Sequence, residues 1–227
     1  SLLQIQNQAV IDAATKEELG FSLIDMACKG GWLMIPLLLL SIVTIYLFAM
    51  KWWAIKKASN FSNNLLDMVK ENISKGNIKD AIELCHKDNS PIARMVEKGI
   101  TRLGRPLQDI QIAVENIGNV EIAQLEKGLP MMATIAGGAP MIGFLGTVMG
   151  MVQAFFNMAQ AGSNIDITLL SGGIYTAMVT TVAGLIVGIM AYFGYNFLTS
   201  RVSNLAAKME HTTMELIDMV GEYSVKR

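Results

Sequence analysis

Charge is missing from two long stretches of this 227-residue chain: neither Gly128–Ile165 nor Ile167–Ser200 contains Asp, Glu, Lys or Arg. Whatever these stretches line has no titrating acid of its own. Only 16% of residues are charged against 52% hydrophobic, which excludes an ordinary soluble composition. Cysteine is scarce too. Cys28 and Cys85 fall on opposite sides of a membrane in the topology argued below, which excludes a disulfide between them and predicts two free thiols. The two histidines, His86 and His211, stand apart, and Cys85 beside His86 is not at ligand spacing. No C-x-x-C, H-E-x-x-H, G-x-S-x-G or G-x-x-x-x-G-K-[ST] pattern occurs, so neither an enzyme nor a metal or other cofactor is expected. The sixteen Met residues lie mostly on apolar faces, where Met is an adaptable filler rather than a soft-metal ligand. A net charge of -1 gives no reason to expect nucleic acid as a partner.

What the uncharged stretches do hold is a row of small residues on one helical face. Ala139, Gly143, Thr147, Gly150, Ala154 and Asn157 recur every three or four positions, and Gly173, Ala177, Thr181, Gly184, Gly188 and Ala191 do the same. Small side chains let backbones approach closely inside a bilayer, so Gly143, Gly150, Ala177, Gly184 and Gly188 read as helix-packing residues. Thr147 and Thr181 then sit in packed or pore-lining seams. The plainer reading is that each hydroxyl bonds back to the carbonyl one turn earlier. A third apolar segment, Gly31–Met50, is followed by Lys51, Trp52, Trp53, Lys56 and Lys57, an interfacial belt. Twenty residues at about 1.5 Å each cover the roughly 30 Å hydrocarbon layer. The fold class predicted is an all-α membrane protein with three transmembrane helices and long helical cytoplasmic extensions.

Basic residues set the orientation. Lys51–Lys127 carries twelve Lys or Arg and the tail from Arg201 four, whereas Met158–Ile165 carries none and the first thirty residues only Lys16 and Lys29. The organisation expected is therefore an outer segment 1–30, a first span 31–50, a cytoplasmic helical region 51–127, a second span 128–160, a short outer loop 161–167, a third span 168–200 and a cytoplasmic tail 201–227. Asp25 and Asp166 fall at the outer ends of spans. Lys51, Lys56, Lys57 and Arg201 suit anionic lipid headgroups, and ordinary positive-inside bias explains them equally well.

Ser1–Gly30 has no basic segment feeding an apolar one and does not read as a secretory signal. Thr15 and Glu18 fit a capping box, and Phe21, Ile24 and Cys28 share a face, which predicts a short amphipathic helix at the outer surface. In the cytoplasmic region, Leu65, Met68, Val69 and Ile73 keep helical spacing, Gly76 interrupts, and Ile78, Ala81, Ile82 and Cys85 resume it. Ser90 before Pro91 is a helix start. Gly104 and Pro106 close that helix, and from Leu107 the pattern Ile110, Ala113, Val114, Ile117, Ile122 and Leu125 predicts a helix with no strong stop before Pro130. The third span is expected to run on through Val202, Leu205, Met209, Met214 and Leu216. Neighbouring subunits are expected to cover that apolar face, the alternative being a bundle closed within one chain.

The segment Ala139-Pro-Met-Ile-Gly-Phe-Leu-Gly-Thr-Val-Met-Gly-Met151, followed by Gly173-Ile-Tyr-Thr-Ala-Met-Val-Thr-Thr-Val-Ala-Gly-Leu185, strongly resembles the MotA/TolQ/ExbB proton-channel family, and its ExbB branch most. The likeness extends to the three-span plan and to Tyr195-Asn196 at the end of the third span. It implies a bacterial inner membrane, with the N-terminal segment 1–30 and the loop 161–167 periplasmic and the C-terminus cytoplasmic, and an ion-driven motor subunit: a homo-oligomeric ring, five-fold, around the single helices of an ExbD-like dimer that supplies a membrane Asp. A TonB-like protein then carries the motion to outer-membrane transporters. Thr147 and Thr181 match the family's pore-lining threonines.

One position departs from the pattern. ExbB proteins frequently carry Glu where this chain has Thr176, so a relay through that carboxylate must differ here. Thr176 and Thr180 sit one turn apart and are expected to hold a water file, with sodium as the alternative to the proton. The resemblance also admits a TolQ-like, gliding or secretion motor. A passive membrane scaffold, in which small residues serve only packing, is the alternative outside the family's chemistry.

Overall fold

The computed structural model describes residues 31–60, 64–88, 90–161 and 167–225, and among them every regular element is an α-helix. The segment 1–30, with Thr15, Glu18, Asp25 and Cys28, lies outside the described residues, as does Asp166. The helices are α1 (Met34–Ser59), α2 (Leu65–Ser74), α3 (Ile78–Asp88), α4 (Pro91–Ile100), α5 (Leu107–Glu126), α6 (Leu129–Ala161) and α7 (Ile167–Val225). Three are long and apolar enough to cross a membrane: α1 with 26 residues, α6 with 33 and α7 with 59. At about 1.5 Å per residue, even 26 residues exceed the roughly 30 Å that a span requires. This is a membrane protein, and its largest exposed side chains agree. Ile35, Ile42, Phe144, Val152 and Phe193 are each more than half exposed, a pattern costly in water and suited to lipid or to a packed neighbour.

The chain divides into two compact units. The first contains residues 31–33 and 34–44, the latter being the first part of α1, with most of α6 and the first half of α7. Its core is small: Leu37, Ile135, Ala139, Val187 and Ala191, with Val43 and Ile142 packed against them. Alanine is frequent in it because close backbones leave little volume for side chains.

The second unit contains residues 45–59 of α1, the helices α2 to α5 and residues 193–225 of α7. Here the periodicity of the sequence becomes packing. Leu65, Val69 and Ile73 of α2 are buried in one cluster with Ala81 and Cys85 of α3, Ile92, Val96 and Ile100 of α4, and Ile110 and Val114 of α5. Ser90 caps α4 by accepting the Ala93 amide at 3.1 Å, and Pro91 stands at its first turn, where a missing N–H costs nothing. A two-pronged ion pair joins α4 to α5, with Arg94 Nε and Nη2 each donating to Glu121 at 2.6 Å. Those bonds hold the Arg94 guanidinium above its ordinary pKa, against partial desolvation.

Two expectations are corrected. Leu205, Met209 and Leu216 of α7 do not wait for another subunit. They are buried in that same cluster, closely enough that a Cβ at Gly99 would stand 2.6 Å from Leu216 Cδ2. The physical reason is that α4 and α5 already present an apolar seam, and burying it against the chain's own α7 requires no association. The helix expected to run unbroken from Leu107 to Pro130 instead stops at Lys127–Gly128. Gly128 takes a φ of +95°, left-handed backbone that only glycine adopts cheaply. Lys51 of α1 reaches this joint, donating from Nζ to the Gln124 carbonyl at 3.1 Å, one of the final α5 carbonyls that has no helical partner. Pro130 therefore falls in the first turn of α6 rather than ending anything.

Candidate functional site

Within the first unit, the two stripes of small residues face each other, running in opposite directions. An added Cβ at Gly150 would meet Ala177 Cβ at 2.7 Å, and one at Gly173 would meet Ala154 Cβ at 2.7 Å. At Gly184 it would stand 2.6 Å from the Ala139 carbonyl oxygen and 2.9 Å from Gly143 Cα, so backbone touches backbone there. At Gly188 it would strike the ring of Pro140 at 2.5 Å. Gly143, Gly150, Ala177, Gly184 and Gly188, singled out by spacing, thus lie in the contact between α6 and α7. Gly146 belongs to the same seam; three residues after Gly143 and four before Gly150, it keeps the same helical spacing but was not among the residues singled out.

Close approach brings hydroxyls together. Thr147 Oγ1 and Thr181 Oγ1 are 3.0 Å apart, and each also has a carbonyl in reach. Thr147 lies 2.7 Å from the Phe144 oxygen on its own helix. Thr181 lies 3.0 Å from the Gly143 oxygen on the other helix, which spacing alone did not anticipate. Each hydroxyl has one proton to give and can accept another. Two proton arrangements follow: Thr147 donates to Thr181, which donates to Gly143, or Thr181 donates to Thr147, which donates to Phe144. Rotation of two hydroxyls exchanges them. The Thr147 contact alone matches the back-bonding habit of membrane threonines, whereas Thr181 reaches across.

Thr180 and Thr176 are placed differently. Thr180 is 2% exposed and its hydroxyl donates to the Ala177 carbonyl at 2.7 Å. It fills the space over Gly146, where a Cβ would come within 2.6 Å of its oxygen. That hydroxyl is enclosed in the contact between α6 and α7. Thr176, one turn earlier, is half-buried. The described parts of α1, α6 and the spanning part of α7 hold no carboxylate, so the seam is polar but not titratable. Among the described residues no group of His, Cys, Asp and Glu could hold a metal.

Of the four basic residues read as lipid contacts, Lys51 is buried and bonded to Gln124, while Lys56, Lys57 and Arg201 are exposed. Arg201 lies 5.3 Å above the Phe197 ring, and Phe197 stacks on Trp52 at 5.1 Å.

A family model described as the MotA/TolQ/ExbB proton channel family matches residues 87–211, more than half of the chain, and so includes both stripes and the hydroxyl pair. The chain belongs to this family. Its members are channel subunits rather than enzymes. Among curated relatives, the chain is 28% identical over 157 residues to a biopolymer transport protein ExbB homologue of Methanothermobacter thermautotrophicus, over 69% of this chain and 55% of that one. It is 29% identical to a biopolymer transport protein ExbB-like 1 of Synechocystis, over 78% of this chain and 71% of the relative. To the biopolymer transport protein ExbB of Neisseria meningitidis it is 27% identical, over 79% and 86% respectively. The chain thus spans about half the length of the first of these and most of the other two.

Proposed function

We propose that this chain is an ExbB-like subunit of a proton-driven motor in a bacterial inner membrane, with its second unit, which carries most of the Lys and Arg, in the cytoplasm. Copies of it form a five-fold ring around an ExbD-like dimer whose membrane Asp titrates. A TonB-like protein passes the resulting motion to outer-membrane transport. The observation that carries this reading is the Thr147–Thr181 hydroxyl pair in a seam that has no described carboxylate.

A lone buried acid costs several kcal/mol when ionised, by order of magnitude, unless something solvates it. Paired hydroxyls are suited to that task because they donate to an ionised acid and accept from a protonated one. An acid brought by a partner helix is then held by these walls in either state, and its protonation decides which wall it prefers. The gradient supplies direction at roughly 2.3 kcal/mol per charge per 100 mV.

The test is flux across proteoliposomes holding this chain with and without its single-span partner, under separate H⁺ and Na⁺ gradients. Proton flux that needs the partner supports the division of labour. Brisk proton movement through the chain alone overturns it, and sodium-dependent movement reassigns the ion.

A further inference from the structure

The geometry points to a second, independent site: a binding groove for one phospholipid with an anionic headgroup, lying in the second unit between α1 and α7. The groove has a volume of about 1030 Å³, at the upper end of clefts that take small molecules (about 300–1,000 Å³). Its cations are Lys56, Lys57, Arg201 and Lys208, and no Asp or Glu lines it. Leu198 and Leu205 form an apolar floor.

Order along the helices matches the order of groups along a lipid. On α7, Phe193, Phe197, Arg201 and Asn204 follow one another at spacings of three or four, passing from exposed ring to cation to amide, with the Lys208 cation one turn further on. On α1, Met50, Trp53 and Lys57, followed by Asn60 just past its end, pass from apolar side chain to cation to amide in the same chain sense. Exposed Phe193, Met50 and Trp53 offer surface to acyl chains, the cations meet the phosphate, and Asn60 and Asn204 remain for the polar end. Trp is at home where one end of a residue is apolar and the other wet.

The cation most deeply engaged is held in place before any ligand arrives. Arg201 rests over Phe197, which stacks on Trp52, and Trp52 in turn stacks on Phe48 at 6.1 Å. A guanidinium fixed in this way presents its donors to a phosphate with little rotamer entropy left to lose. Lys51 takes no part, because its ammonium is bound to Gln124. Scattered positive-inside charge would not require a shaped groove, an acid-free lining or a stacked support beneath one arginine.

The experiment uses the full chain with its Trp32 replaced, Trp32→Phe, so that Trp52 and Trp53 report alone. It is reconstituted in vesicles of unlabelled phosphatidylcholine containing a minor fraction of either brominated phosphatidylglycerol or brominated phosphatidylcholine. Fluorescence quenching by the brominated phosphatidylglycerol is expected to reach half-effect at a mole fraction about tenfold lower, corresponding to about 1.4 kcal/mol of preference. In the Lys56→Gln, Lys57→Gln, Arg201→Gln, Lys208→Gln variant the two curves are expected to coincide. Should that variant lose helicity, Arg201→Gln alone is used, with a shift of at least about threefold expected, about 0.65 kcal/mol. Equal quenching by both lipids in the parent chain overturns the site, as does an unchanged preference in the variants or full replacement of the lipid effect by inorganic phosphate. None of these outcomes bears on partner-dependent flux.

Discussion

Thr181 Oγ1 lies 3.0 Å from Thr147 Oγ1 and 3.0 Å from the Gly143 carbonyl of the facing helix, so one hydroxyl ties two spans together and completes a reversible donor chain. Removing either hydroxyl breaks that chain while leaving the glycine contacts around it. Thr147→Val and Thr181→Val are therefore expected to preserve helicity and assembly and to lower partner-dependent proton flux about tenfold or more, the equivalent of one hydrogen bond in the barrier. Thr181→Ser restores the donor and is expected to recover most of the flux. Normal flux in both valine variants would remove these residues from the path.

The seam itself makes a contrasting pair of predictions. A methyl group at Gly184 would press on backbone atoms of Ala139 and Gly143, which cannot rotate away. Gly184→Ala is expected to destabilise the detergent-solubilised chain by about 1–3 kcal/mol. Nothing lies within 4 Å of a Cβ at Gly137. Gly137→Ala should therefore be neutral or add about 0.5–1 kcal/mol through helix propensity. Thermal unfolding of the two variants side by side checks the order, and equal effects would mean that α6 and α7 are not in this register.

Thr176→Glu tests the position at which the family's frequent carboxylate is replaced. Thr176 is half-buried, and a carboxyl there has no described cation in the spans to ionise against. A new titrating group at this position is expected to alter the pH dependence of flux, with helicity and assembly unchanged. A profile identical to the parent's would place residue 176 away from the path.

Stability should also fall at alkaline pH for a reason confined to one thiol. Cys85 is buried, and desolvation, with Glu97 and Asp88 nearby, pushes its pKa up from 9.0 to about 12. The folded state thus keeps a proton that the unfolded state releases. Its contribution is complete below about pH 9 and is lost as pH rises toward 12, by up to about 1.4 kcal/mol per pH unit. Denaturant unfolding between pH 8 and 11 should show a steeper decline for the parent than for Cys85→Ala, and parallel declines would refute it. Native Cys85 should also resist maleimide at pH 8 and react once unfolded.

The stripes were legible in the sequence because spacing of three and four fixes a helical face whatever the helix meets. Which hydroxyl meets which was not, because that depends on axial register: sliding α7 by one residue turns Thr181 about 100° away from Gly143. Thr180 shows the same limit, since only the contact with Gly146 reveals that its hydroxyl is enclosed. In the second unit, Leu205, Met209 and Leu216 announced an apolar face but not its covering, which needs the positions of Ile100 and Val114. Lys127–Gly128 did carry a signal. Glycine just past a helix end is a common stop, and Pro130, two residues on, drew attention from it.

The helical bundle of the second unit closes its core with Leu205, Met209 and Leu216 of its own chain. In the proposed ring, a copy therefore brings that face already sealed, and its joints with neighbours are left to the side chains that stay exposed.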